Sequence, residues 1–158
     1  MFKPLYADLA RNFPRRDMVP RDALLREIGW DDLIANTNFQ NTCAIRASLA
    51  LIKSGVPLSG RMKIRKGPFQ GKRIEPGQVK LAHLLKAYWG MPEQFEGSEA
   101  AIAGIGKRCG LVSFFNVRPD KTDPLGHIDI VEPTLFGTLS CGNDCFWSAK
   151  FTWFWPLA

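Results

Sequence analysis

Residues 36–55 read NTNFQNTCAIRASLALIKSG, and the junction inside this stretch governs the reading of the rest. Up to Thr42 it is polar and turn-like, with side chains that hydrogen-bond nearby backbone in place of a regular ladder. From Cys43 onward apolar residues dominate, with Ile45, Leu49 and Ile52 beside Ala47 and Leu51 at helical spacing, and Gly55 where a helix would stop. The stretch predicts a largely buried helix over 42–55, with Thr42 as its N-cap and a cysteine in its first turn. The first N–H groups of a helix have no partner inside it and form its positive dipole end, so a thiol placed there ionises more easily.

Working outward, two helices are expected on the N-terminal side, at 4–12 behind Pro4 and at 20–29 behind Pro20, the second with Leu24, Leu25 and Ile28 on one stripe. On the C-terminal side, residues 56–75 are rich in Pro, Gly, Lys and Arg and predict a loop with one short edge strand near 62–64. Helices over 76–90 and 98–110 follow, the first with Val79, Leu81, Leu84, Leu85 and Tyr88 turned inward, the second capped by Ser98. Then the period changes: LVSFFNV (111–117), GHIDIVEP (126–133) and AKFTWFWPL (149–157) read as strands. Trp147, Trp153 and Trp155 fall in or beside the last of them and read as core. Helices first and antiparallel strands after, with no linker or repeat between, predict a single α+β domain over residues 1–158.

The chain's 158 residues are 46% apolar and 23% charged, which is ordinary globular composition and long enough to bury a core unaided. No apolar run approaches the ~20 residues of a membrane span, so no transmembrane segment is expected. The start, MFKPLYADLARNFPRR, contains Asp8 and lacks an apolar centre, so it does not read as a Sec signal peptide. The net charge of +6 favours polyanionic partners. Six of the basic residues fall within 61–73. No helix-turn-helix, zinc-finger or RNP signature accompanies them, so they read first as a solvated loop and no nucleic-acid partner is expected.

Chemistry concentrates in a few residues. Cys43 is the first, for the reason given, against the plainer alternative of a small buried apolar side chain. His127 is the second: it opens the strand GHIDI, and Gly126 before it lets another part of the chain come close. A cysteine at a helix start and a histidine on a distant strand form the papain-like constellation. His83, inside a Leu-rich helix, has the weaker case. Cys141 and Cys145 share the loop SCGNDC, which admits a small disulfide, a zinc half-site or two free thiols. Zinc lacks a second ligand pair, and a disulfide is favoured in an oxidising compartment. No metal or cofactor is expected.

The segments FQNTCAIRASLAL (39–51), GHIDI (126–130), SCGNDCFW (140–147) and FWPL (154–157) resemble, in that order, the amidase effectors of bacterial type VI secretion, fourth amidase family. The resemblance covers about residues 38–158, a catalytic core, and leaves 1–37 as a helical N-terminal extension. It implies a papain-like cysteine hydrolase fold and an amidase that cuts peptidoglycan stems between D-glutamate and meso-diaminopimelate. It also implies delivery by the type VI secretion machinery, action in the periplasm of the target bacterium, and a cognate periplasmic immunity protein. The family's nucleophile falls on Cys43 and its base on His127. Its third member, an Asp two residues after the first loop cysteine, falls on Asn143, with Asp144 next to it.

On this reading the Cys43 thiolate attacks the γ-glutamyl carbonyl, and its own N–H, with a side chain from Gln40 or Asn41, receives the oxyanion. Arg46, one turn further on, is placed to meet a substrate carboxylate or to form a surface or structural ion pair. For orienting His127 the expected order is Asn143, then Asp144, then Asp129, which lies ~6.6 Å along the same strand by rise. A periplasmic destination then favours a Cys141–Cys145 disulfide that stiffens the 141–145 loop. Two rival classes share parts of the pattern: a cysteine peptidase or transferase acting on proteins, and a non-enzymatic basic binding module.

Overall fold

In a computed structural model of the chain, residues 1–122 and 125–158 are described. The elements run, in chain order, α1 (Tyr6–Asn12), α2 (Arg21–Glu27), two single 3-10 turns, α3 (Cys43–Lys53), β1 (Met62–Lys63), β2 (Arg73–Ile74), α4 (Gln78–Trp89), β3 (Glu93–Glu96), α5 (Ser98–Ile105), β4 (Gly110–Phe115), β5 (His127–Pro133), β6 (Leu139–Cys141) and β7 (Phe151–Pro156). β3 to β7 form one antiparallel sheet in the order β3-β7-β4-β5-β6. The α+β expectation holds, with helices packed on an antiparallel sheet.

The sheet separates two apolar layers. Leu111, Ile128, Ile130 and Trp155 face the helices and meet α3, whose residues from Cys43 to Ile52 are all buried. Val112, Phe114, Val131 and Phe154 face the other way and are covered by Ile105, Ala149 and part-buried Trp147. The alternation of β4 and β5 is therefore apolar on both faces, as a strand in the middle of a sheet requires. α3 crosses against β5, and that crossing brings the two reactive residues of the sequence together.

Several boundaries differ from the expectation. α4 starts at Gln78, two residues after Pro76, because Gly77 takes the N-cap position and its N–H is held by Glu75 Oε2 at 2.7 Å. Val79 is then turned to solvent. α5 ends at Ile105, where Gly106 turns with φ 62°, and Gly97 precedes Ser98 at its cap. The edge strand near 62–64 exists, but its partner β2 and the polar edge strands β3 and β6 had no sequence signal. Edge strands need one apolar face at most, and EQFE supplies a single aromatic.

The first 37 residues are not an appendage. Tyr6, Leu9, Phe13, Leu24, Leu25, Ile28 and Trp30 are buried in the same core as α3. The basic loop is likewise ordered by pairing: Arg61 holds the buried Glu75 through two hydrogen bonds of 2.8 Å, and Arg65 pairs with Asp32 at 2.5 Å.

Candidate active site

Cys43 sits at the first position of α3 and is 6% exposed. Its backbone N–H donates to Asn41 Oδ1 at 3.1 Å. Thr42 holds the N-cap position as expected, but its hydroxyl makes no capping hydrogen bond and accepts from Arg46 Nε at 3.0 Å. The Cys43 N–H expected to be free for an oxyanion is thus engaged, and Asn41 contributes its carbonyl oxygen rather than a donor. Gln40 lies beside it in the wall of the cleft.

His127, 8% exposed, opens β5 and stands beside Cys43 in the wall of the same cleft. Its Nε2–H donates to Asp129 Oδ2 at 2.7 Å, which leaves Nδ1 for the thiol. Phe114 stacks parallel to the imidazole at 6.2 Å and Phe146 meets it edge-on at 4.9 Å. Burial opposes charge on the ring, but the hydrogen bonds to Asp129 and Cys43 and the charges on both outweigh it. Together they lift the His127 pKa from 6.5 to about 9.

The order expected for the residue that orients His127 is reversed. Asp129 holds the ring, whereas Asn143 Oδ1 accepts from the Arg16 N–H at 2.7 Å and the Asp144 carboxylate pairs with the Arg16 guanidinium. The rise along a strand separates the Cα atoms of residues two apart, and side chains on one face lean toward each other across that gap. A carboxylate and an imidazole are long enough to close it.

Asp129 is fully buried and each oxygen is used. Oδ1 accepts from the Ile130 N–H at 2.8 Å, and Oδ2 accepts from the N–H groups of Asn143 at 2.9 Å and Asp144 at 3.1 Å in addition to His127. Cys141 and Cys145 are joined in a disulfide, which removes the zinc half-site and free-thiol alternatives and closes the loop that presents those two N–H groups. Gly142 is required there: a Cβ would lie 2.6 Å from Asp129 Oδ1 and 2.8 Å from Phe13.

The N-terminal segment braces this loop. Arg15 Nη1 donates to Gly142 O at 3.2 Å, beside the Arg16 contacts. Arg46, 1% exposed, reaches from α3 to hold that segment, its Nη1 donating to Pro14 O at 2.8 Å and Val19 O at 2.7 Å. It is buried, and among the described residues it forms no ion pair.

Two hollows meet at Cys43. One, about 370 Å³, is lined on its far side by Arg16, His127, Asn143 and Phe146; the other, about 350 Å³, by Asn38, Arg61, Gln78 and Lys80. Both include Asn41 and Gly126. A hollow of about 390 Å³ elsewhere, around Phe13, Met18 and Lys53, holds neither a nucleophile nor a histidine. Among the described residues no cluster of His, Cys, Asp and Glu is set to hold a metal ion, and no helix is long and apolar enough to cross a membrane. Sequence reasoning missed Arg16 and Gln78, which lie in no motif, and gave no role to Phe146, although it lies within SCGNDCFW.

A helix-start cysteine facing a histidine–carboxylate pair on an antiparallel sheet places the molecule in the papain-like fold class. A family model described as type VI secretion system (T6SS), amidase effector protein 4, matches residues 39–155. The chain belongs to that family. The type VI effector Tae4 from Enterobacter cloacae superposes with a TM-score of 0.75 at 18% identity, covering 99% of this chain and 98% of its own. The Tae4–Tai4 effector–immunity complexes from Enterobacter cloacae and Salmonella Typhimurium give 0.74 and 0.72, each at 17% identity with 99% of this chain and 100% of that chain covered. A comparison with curated protein sequences gives no match.

Proposed function

We propose that this amidase effector hydrolyses the γ-D-glutamyl–meso-diaminopimelate bond of peptidoglycan stems by cysteine catalysis in the periplasm of a target bacterium. A cognate immunity protein would block it, as the effector–immunity complexes of its structural neighbours suggest. The observation that carries the reading is Cys43 and His127 side by side in one cleft, with Asp129 hydrogen-bonded behind the imidazole.

The raised pKa of His127 favours an imidazolium beside Cys43 at neutral pH, and a cationic neighbour promotes attack by sulfur as the thiolate. The thiolate attacks the γ-carbonyl carbon, and the C=O electron pair moves onto oxygen. That oxyanion is a stronger acceptor than the Asn41 amide, so it takes over the Cys43 N–H, with the Gln40 amide as a second donor. Collapse of the intermediate breaks the C–N bond while His127 gives its proton to the leaving amine. A water, deprotonated by His127, then opens the thioester and returns the thiol. Asp129 keeps the ring oriented and the imidazolium paired throughout.

Digestion of meso-diaminopimelate sacculi, followed by mass analysis of the products, tests the reading. New D-glutamate carboxyl and diaminopimelate amino termini are expected from the wild-type chain and not from Cys43→Ala. Intact stems after prolonged digestion refute it.

A further inference from the structure

The half of the cleft beyond His127 carries donors that the hydrolytic steps do not use. Asn143 Oδ1 accepts from the Arg16 N–H at 2.7 Å. An amide oxygen must meet that N–H, so the orientation of the amide is decided. Its Nδ2 group has no partner among the described residues and lies in the wall of the cleft. The Arg16 guanidinium stands at the same mouth, exposed and, among the described residues, paired only with the exposed Asp144. Behind them Arg46 forms part of the wall, and its buried Nη2 has no hydrogen-bond partner. Arg46 and Arg16 are close enough for each to feel the other's charge.

A buried guanidinium nitrogen without an acceptor is an expensive arrangement, and the neighbouring Arg16 charge adds to that cost while the Asp129 carboxylate, already engaged by His127 and three backbone N–H groups, offsets part of it. The remaining cost is relieved by one additional anion. A planar carboxylate suits a fork of N–H donors. Its side of the cleft follows from the chemistry: His127 protonates the leaving amine, so the amine-bearing residue must lie on the His127 side of Cys43. Of the two hollows that meet at Cys43, only the one with Arg16, Arg46 and Asn143 includes His127.

We propose that Arg16 and Asn143, backed by the charge of Arg46, form a subsite for the free carboxylate of the leaving-group residue. The subsite makes the enzyme selective for stems whose amine-side residue is acidic. This rests on the amidase reading above and adds to it a recognition role for residues outside the Cys43–His127–Asp129 line. Binding would exchange Asp144 for the substrate carboxylate on Arg16.

The experiment uses two tripeptides, L-Ala-γ-D-Glu-meso-diaminopimelate and the same peptide with the diaminopimelate carboxylates amidated. Their hydrolysis is followed with the wild-type chain, Arg16→Gln and Asn143→Ala, and their binding is followed by calorimetry with Cys43→Ala. Wild-type kcat/KM is expected to favour the acid about tenfold to hundredfold, mostly through KM, as a charge-assisted contact implies. Cys43→Ala should show the same preference in Kd. In Arg16→Gln and Asn143→Ala the ratio should fall toward one. A merely structural role would lower both substrates together and leave the ratio intact, which overturns the proposal, as does equal binding of the two peptides. If neither peptide is cut yet the acid binds more tightly, the subsite stands and the amidase chemistry falls.

Discussion

Cys43 and His127 face each other but are held in opposite ways. Cys43 is fixed by its own neighbourhood: Asn41 two residues before it accepts its backbone N–H, and α3 buries almost every residue that follows. His127 is fixed by distant parts of the chain. Asp129 grips the ring, the 141–145 loop grips Asp129, Arg15 and Arg16 grip the loop, and Arg46 grips the segment that carries them. The nucleophile is thus a local feature that survives damage elsewhere, while the base stands at the end of a relay that can be cut at several points. Substitutions should separate the two.

The largest effect is expected from Cys43→Ala, which removes the reacting atom and little else. Hydrolysis of sacculi should fall by about 10⁴-fold or more, while circular dichroism and the melting temperature stay near wild type. A variant that melts many degrees lower would show that the thiol is a packing element as much as a nucleophile. Next comes Asp129→Asn, which cuts the relay at its first contact. Turnover should drop about 10²- to 10⁴-fold. The His127 ring, followed by NMR, should titrate near pH 9 in the wild type and well below that in the variant. An unmoved midpoint would remove Asp129 from the relay.

A smaller effect is expected from Gly126→Ala. A Cβ there would come 1.8 Å from Gln78 Oε1, and Gln78 is held by Ser113 Oγ at 2.7 Å and Phe114 O at 3.3 Å. Displacing Gln78 leaves buried Ser113 with a broken hydrogen bond at about 1–3 kcal/mol. Melting should fall by several degrees and kcat by about tenfold, because Phe114 also stacks on His127.

The smallest effect is on pH-dependent stability. The folded-state pKa of His127 lies above its unfolded value of 6.5. Its contribution is therefore fully present below about pH 6.5 and is lost as pH rises through about 9. Scanning calorimetry from pH 6 to 10 should show wild type converging on His127→Gln across that window. Parallel curves would rule out the pairing.

The same contrast explains how much was legible in the sequence. The local half was readable: the helix of Cys43, the strand of His127 and the α+β order all follow from periodicity. A turn-like segment before an apolar run marks a helix start wherever the rest of the chain goes. The relay was not readable. Arg16 and Asn143 lie 127 residues apart, and no pattern in either segment announces the other. Asp129 is visible in the sequence, but strand rise measures the spacing of Cα atoms and not the reach of two side chains on one face. The acceptor role of Asn41 is not legible either, because whether its side chain or a ligand meets the helix-start N–H is settled only by backbone geometry.

The loop closed by Cys141 and Cys145 has a consequence for when the protein is armed. Its ring is short, so the bridge restrains few unfolded conformations and adds roughly 2 kcal/mol at most to global stability. Opening it would leave the core standing and loosen only the segment that offers N–H groups to Asp129. Local openings of this kind can be populated well below the global unfolding energy. A reducing cytosol, where thiols stay reduced, and an oxidising periplasm, where they do not, would then see two versions of one folded protein. They would share stability and shape and differ in how tightly the histidine's carboxylate is tethered. The compartment itself would set the resting activity of the enzyme, before any inhibitor meets it.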